Sequence, residues 1–304
     1  MRVNKIFLKR VIYLFIILIS SFIAFMSTEI ILTKNKLAKE LYMKKIDPEP
    51  YVATTNEQGF RVRSADVAYS KNSGGYFRII CLGDSLAYGH GVADDKTYPV
   101  FLEKHLKDIY QKKIQVINAG VCGATITEEL DMYINNCAQL QSNLVVLLLD
   151  SGDISKKFTK VLLFKTKDNF WSTDKYLSGS KVYSLIKLKV LQQQGYDLVN
   201  YYNKHKEYIL NKYFECLEAL NKIVKSNNSV LVVSIFKEDN DNEVLKSFCK
   251  NKHIPVVDIT KEYAERATKG GILLIYHHNE TGNNFLAKAI AQKLSEQISV
   301  NDNP

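Results

Sequence analysis

The chain has few cysteines, and none of them form a recognisable pair. Its five cysteines are an odd number, and no CxxC spacing occurs among the 304 residues. A zinc knuckle and a dense disulfide framework are therefore not indicated. GxGxxG, P-loop and HExxH motifs in suitable contexts are also missing. Their absence argues against dinucleotide, nucleoside-triphosphate and zinc-protease chemistry.

Acidic residues are too few to balance the basic ones, and the net charge is +9. Residues 1–50 contain nine Lys/Arg and four Asp/Glu, so over half of the basic excess lies beside an apolar segment. We interpret this excess as a topology signal and an attraction to lipid headgroups. A nucleic-acid footprint needs a basic stripe on the folded domain, and the remaining excess is spread along the chain. We therefore predict no nucleic-acid partner.

Residues 11–28 carry no charge. Eighteen residues at about 1.5 Å each roughly span a bilayer core. Arg2, Lys5, Lys9 and Arg10 precede the run, and no convincing cleavage site follows it. We predict that residues 1–33 are a cytoplasmic flank and an uncleaved transmembrane signal anchor; a cleaved signal peptide is the alternative. The rest of a single-pass protein would then lie on the extracytoplasmic side of the plasma (inner) membrane.

The rest of the chain predicts one large α/β domain. Residues 34–75 are interpreted as a stalk and extended lead-in, and residues 76–300 as the domain. A helical insertion is predicted at about residues 156–200. Three interpretations are open: extra helices packed on one face of the sheet, a lid over the acyl pocket, or a contact with lipid headgroups. Strands and helices alternate in the domain, which indicates an open, flavodoxin-like parallel sheet with helices on both faces. Five strands are predicted, at residues 76–82, 114–118, 143–149, 229–235 and 254–257.

Three polar segments follow predicted strands or precede the last helix. Gly83-Asp84-Ser85 comes directly after the first strand. Its serine would be exposed on the strand-to-helix turn, although a simple helix cap would have the same sequence. In such sheets ligands bind beyond the carboxyl ends of the strands, so these segments are expected to share one edge.

The other two segments supply glycines and an imidazole. Gly120 and Gly123 follow the second strand and would allow the backbone to approach a ligand closely. His277 and His278 precede the last helix, and an imidazole is a suitable base for a serine hydroxyl. Asn279 and Gly282 are typical of the start of a helix and are expected to fix this loop.

In this order, these motifs resemble those of the SGNH/GDSL hydrolases. The run GDSLAYGHGVADDKTYPVFLE is a close likeness, and NEQGFR resembles a lead-in of bacterial exported members. The resemblance implies a flavodoxin-like fold and acyl-ester hydrolysis with no metal and no cofactor. It implies that Ser85 is the nucleophile, that the N–H groups of Ser85 and Gly123 form the oxyanion hole, and that His277 is the base.

Two positions depart from the pattern of this family. Gly152 stands where the family has an oxyanion-binding Asn, with Ser151 beside it, and Leu274 stands where the family has the triad Asp. A Ser–His dyad is therefore expected, unless one of three other carboxylates, Asp150, Asp153 or Asp258, takes the role. Supporting residues are predicted to be Asp84, Ser151, Gly152, His278 and Asn279.

The predicted function is a serine esterase or deacylase that acts on an acyl ester of a small molecule, glycan or lipid. An O-acetyl group of the cell envelope is one example. Two alternatives use the same fold. One is an O-acyltransferase with the same acyl-Ser85 intermediate, and the other is a catalytically inactive binding or assembly module.

Overall fold

The computed structural model of the chain describes residues 13, 15, 17, 19–28, 30, 52–150, 152–159, 198–273 and 277–297. The chain divides into two compact units. The first consists of Met1–Pro48 and Leu163–Asn200, and the second consists of Glu49–Leu162 and Tyr201–Pro304. In the first unit, residues 19–28 are helical and expose apolar side chains such as Phe22 and Ile23. Of the helices within these described ranges, none is long and apolar enough to cross a membrane. The anchor at residues 11–28 includes positions outside the described set, and it stays a prediction.

The second unit contains a sheet of five parallel strands in the order β2-β1-β3-β4-β5. This is the order of the flavodoxin-like sheet, so the predicted α/β architecture is confirmed. Each strand begins and ends within three residues of its predicted limits. The strands are β1 Phe77–Gly83, β2 Ile114–Asn118, β3 Leu144–Leu149, β4 Val230–Ile235 and β5 Val256–Asp258.

Helices in the described residues connect these strands and follow the last of them. They are α1 Ser85–Tyr88, α2 Tyr98–Tyr110, α3 Ile126–Met132, α4 Leu198–Ser226, α5 Asn242–Asn251, α6 Thr260–Thr268 and α7 Glu280–Gln297. Two π-helical turns, Tyr133–Cys137 and Asp153–Phe158, follow α3 and β3. Helix α3 and the π turn after it together cover residues 126–137. Helix α6 has a weak signal in the sequence, because only Tyr263, Ala264 and Ala267 of its nine residues are apolar.

Both faces of the sheet are buried. Ile80 and Leu82 of β1 belong to one apolar cluster, whereas Ile79 and Cys81 belong to another on the opposite face. Helices α3, α4 and α5 contribute to the first cluster, and α2, α6 and α7 contribute to the second. Successive strand residues point to opposite faces, so a strand covered on both faces is expected to be apolar along its length, as β3 is.

The predicted domain limits are not settled by this division into units. The lead-in at residues 52–75 belongs to the same unit as the sheet, and Phe60 within it is fully buried. Most of the predicted insertion at residues 156–200 lies outside the described residues. These limits stay a prediction.

Candidate active site

Ser85 lies on a tight turn at the carboxyl end of β1. Gly83 ends the strand with φ of 142°, and a Cβ there would lie 2.7 Å from the Leu148 carbonyl oxygen. The Asp84 carboxylate then accepts the Leu86 N–H at 2.8 Å and caps α1, of which Ser85 is the first residue. Ser85 is the first residue of this helix, so its N–H has no intrahelical partner.

The second loop packs directly against this turn. Val121 N–H donates to the Gly83 carbonyl at 3.0 Å, and the Asn118 side-chain amide donates to the Tyr88 carbonyl at 3.1 Å. A Cβ on Gly120 would lie 2.2 Å from the Tyr88 nitrogen, so only glycine fits this contact. Gly123 has φ of 78° and open space where a Cβ would be. Across the described ranges, the amides of Ser85 and Gly123 donate no recorded backbone hydrogen bond.

His277 meets Ser85 from the far end of the domain. Its Nε2 lies 3.0 Å from Ser85 Oγ. The loop is fixed by Asn279, whose side chain donates to the Gly271 carbonyl at 3.0 Å and accepts the Gly282 N–H at 2.9 Å. A Cβ on Gly282 would lie 2.1 Å from the Ile272 carbonyl oxygen. Asn279 and Gly282 therefore fix the loop before α7 and, with it, the position of His277.

His278 points into the protein rather than toward Ser85. It is 1% exposed, and its Nε2 lies 2.8 Å from the Tyr263 hydroxyl. Burial, reinforced by Lys237 and opposed by Asp150, lowers the pKa of His278 to about 4. The side chain is therefore neutral at physiological pH and packs among aromatic rings that include Phe236.

A third histidine, His90, lies beside the site and was not predicted. Its ring centroid is 4.6 Å from that of His277, and its Nδ1 is 3.8 Å from Cys122 Sγ. The His90 N–H also donates to the Ser85 carbonyl at 2.9 Å. The sequence places His90 five residues after Ser85, but only the left-handed turn at Gly89 brings it back toward His277.

The loop after β3 departs from the family pattern in the structure as well. The Gly152 amide donates to Asp239 Oδ2 at 2.7 Å, with φ of 83° at Gly152. Glycine has no side chain to offer an oxyanion, so Gly152 cannot replace the expected Asn through a side-chain donor. Ser151 and Leu274 lie outside the described residues.

Each carboxylate that could complete a triad pairs with a lysine. These ion pairs are Asp150–Lys237 at 3.0 Å, Asp153–Lys157 at 2.7 Å and Asp258–Lys246 at 2.6 Å. Asp258 also accepts hydrogen bonds from the backbone and hydroxyl of Thr260. These contacts commit Asp258 to the start of α6.

Lys157 connects the loop after β3 to the turn that carries Ser85. Its ammonium group contacts Asp84 Oδ2 and lies 2.7 Å from Asp153 Oδ1. Burial opposes the charge of Lys157, but Asp153 and Asp84 outweigh it and raise its pKa. Burial is also the main reason that the pKa of Asp153 is raised to about 7. Nothing in the sequence distinguishes Lys157 from its neighbouring lysines.

Arg61 of the NEQGFR segment supports the loop that follows Ser85. Its buried guanidinium donates to three carbonyl oxygens, those of Tyr88 at 2.9 Å, Gly89 at 2.5 Å and Val92 at 2.6 Å. It also pairs with Asp94 at 2.8 Å. This motif therefore has a structural explanation, because one arginine satisfies several carbonyls of an irregular loop.

Similar solved structures include lipolytic proteins and esterases. A G-D-S-L family lipolytic protein from Desulfitobacterium hafniense is 14% identical, with a TM-score of 0.47 over 72% of this chain and 99% of that one. An acetyl xylan esterase from Geobacillus stearothermophilus is 15% identical, with a TM-score of 0.47 over 75% and 98%. A psychrotrophic esterase from Pseudoalteromonas is 14% identical, with a TM-score of 0.46 over 72% and 97%.

The chain resembles SGNH/GDSL hydrolases. No protein-family model and no curated protein matches the sequence. The function proposed below rests on the geometry of the site.

Proposed function

We propose that this protein is a serine esterase that hydrolyses an acyl ester through an acyl-Ser85 intermediate. The observation that carries the proposal is the 3.0 Å separation between Ser85 Oγ and His277 Nε2. That distance allows proton transfer from the hydroxyl to a neutral imidazole. The same imidazole can then protonate the departing alcohol, so one residue serves both halves of the reaction.

The proposed reaction has two stages, acylation of Ser85 and hydrolysis of the acyl-serine. His277 takes the Ser85 proton while Oγ attacks the ester carbonyl, and the negative charge moves to the carbonyl oxygen. The carbon–oxygen bond to the alcohol then breaks, and the alcohol leaves with the proton from His277. A water molecule, deprotonated by His277, then attacks the acyl-serine. The bond between Oγ and the acyl carbon breaks, the acid is released, and His277 returns the proton to Ser85 Oγ. The amides of Ser85 and Gly123 are the donors proposed for the oxyanion.

Labelling with a fluorophosphonate probe tests this proposal. The full chain should be labelled at Ser85, and it should hydrolyse p-nitrophenyl esters of varied acyl length. Ser85→Ala should abolish labelling and turnover, whereas Ser226→Ala, at the exposed end of α4, should retain both. A folded protein that is neither labelled nor active would favour the inactive binding module. Acyl transfer to an added sugar alcohol in preference to water would favour the transferase.

The location remains a separate proposal. The uncharged run at residues 11–28 and its basic flank support a membrane anchor with the esterase on the extracytoplasmic side. The full chain should then sediment with membranes and be digested by protease added outside intact spheroplasts. A chain lacking residues 1–33 should lose the membrane association. Recovery of the full chain in the soluble fraction would contradict the anchor.

A further inference from the structure

A buried charge lies immediately before the nucleophile. Asp84 is 4% exposed, and it directly precedes Ser85 on the turn. The proposed reaction places negative charge on an oxygen next to the Ser85 amide. An unbalanced carboxylate in such a low-dielectric position would oppose that charge, because interactions between charges are much stronger there than in water.

Lys157 is the cation that balances Asp84. Within the described residues, it forms the one ion pair recorded for this carboxylate. The two oxygens of Asp84 have separate partners, since Oδ1 accepts the Leu86 N–H and Oδ2 receives the Lys157 ammonium group. The carboxylate therefore caps α1 and pairs with Lys157 at the same time.

Lys157 is itself held in place from the loop after β3. It lies on the π-helical turn Asp153–Phe158 and pairs with Asp153 at 2.7 Å. Asp153 also accepts the Asp150 N–H at 2.7 Å. The loop that in the resembling family carries an oxyanion-binding Asn is thus joined here to the nucleophile turn by a lysine.

The neighbouring titratable groups do not replace this cation. Glu129 of α3 faces the cluster, and burial, then Asp153 and Asp84, raise its pKa well above the usual range. Burial therefore favours the neutral form of Glu129. Tyr213 of α4 also faces the cluster, and burial raises its pKa so that it stays protonated. Lys157 is left as the positive charge opposite Asp84.

We infer that Lys157 is a positioning residue of the esterase site, which cancels the charge of Asp84 and holds the Ser85 turn while the oxyanion forms. This role rests on the proposed function. The Lys157–Asp84 ion pair then supplies part of the electrostatic stabilisation of the oxyanion that an Asn side chain at position 152 would supply. Lys157 acts through Asp84 and takes no proton from the substrate.

A set of four variants tests this inference by steady-state kinetics on a p-nitrophenyl ester. Lys157→Met should lower kcat at least about tenfold with KM within about threefold, because the lost interaction matters most in the transition state. Lys157→Arg should retain most activity. Asp84→Asn keeps an oxygen that can cap α1 and removes the charge. The double variant Asp84→Asn/Lys157→Met should therefore recover most of the activity that Lys157→Met loses.

The matched control is Lys206→Met. Lys206 pairs with Asp241 at 3.0 Å, and that pair has nearly the same exposure as Lys157 and Asp84. This variant should keep its kcat. All rates are divided by the fraction of sites titrated with the fluorophosphonate probe, so that a loss of folded protein does not count as a loss of kcat.

The outcomes separate the two proposals. If Lys157→Met has the kcat of the original chain, or if the double variant is no more active than Lys157→Met, Lys157 has no electrostatic role and the inference is rejected. The esterase itself then stands. If the original chain shows no Ser85-dependent turnover, the esterase proposal and the inference fall together.

Discussion

Ser85 Oγ and His277 Nε2 lie 3.0 Å apart although 192 positions separate the two residues in the chain. The turn after β1 brings one of them to the carboxyl edge of the sheet, and the loop before α7 brings the other. Parallel strands deliver their carboxyl ends to the same edge, so such a meeting is a normal consequence of the topology. Side-chain packing decides that His277 reaches the Ser85 hydroxyl, whereas His278 contacts Tyr263.

Replacement of His277 and of its neighbour His90 should separate their roles. His277→Ala should lower kcat at least about a thousandfold, because the nucleophile loses its base. His90→Ala, which removes a ring 4.6 Å from His277, should change kcat by less than about tenfold. Ester hydrolysis by purified variants checks both values. Equal losses would show that His90 shares the proton transfer.

Arg61→Met should destabilise the domain and reduce activity together. The substitution removes donors to three carbonyl oxygens and leaves Asp94 without its recorded cation partner. Loss of a buried charged partner costs about 3–5 kcal/mol of unfolding free energy. Urea unfolding measures this change. The exposed neighbour Arg63 provides the control, since Arg63→Met should shift stability by less than about 0.5 kcal/mol.

Gly282→Ala should be strongly destabilising, although alanine normally favours a helix. The added Cβ would lie 2.1 Å from the Ile272 carbonyl oxygen, so the loop that carries His277 must move. We expect a loss of about 2 kcal/mol or more, with a larger fall in kcat than in folded fraction. Gly270→Ala meets no neighbour within 4 Å but retains φ of 67°, and it should cost only about 1–2 kcal/mol. Thermal unfolding with parallel kinetics distinguishes steric from conformational cost.

The buried His278 should make the domain sensitive to acid. Its pKa is lowered to about 4, so the unfolded chain binds more protons than the folded one between about pH 6.5 and pH 4. Stability contributed by the neutral side chain is complete above pH 6.5 and falls as the pH drops through this window, by about 3 kcal/mol in total. Unfolding free energies of the original chain and of His278→Gln should converge on acidification. A constant difference across the window would exclude this titration.

Much of the architecture follows from the sequence alone. An apolar run such as that of β3 is typical of a strand covered on both faces, and glycine, Asn and Asp at the ends of runs mark the turns. The resemblance to the SGNH/GDSL hydrolases predicted His277 rather than His278 as the base. These signals are local, because each element is specified by residues that are close in sequence.

The pairing of Lys157 with Asp84 and the return of His90 toward His277 were decided by the tertiary structure. So were the capture of the Gly152 amide by Asp239 and the burial of Arg61 against the loop after Ser85. These contacts join segments that are far apart in the sequence, so no local pattern of residues predicts them. A lysine or histidine has the same local signal whether it is solvated or paired, so only the packing of distant elements selects its partner.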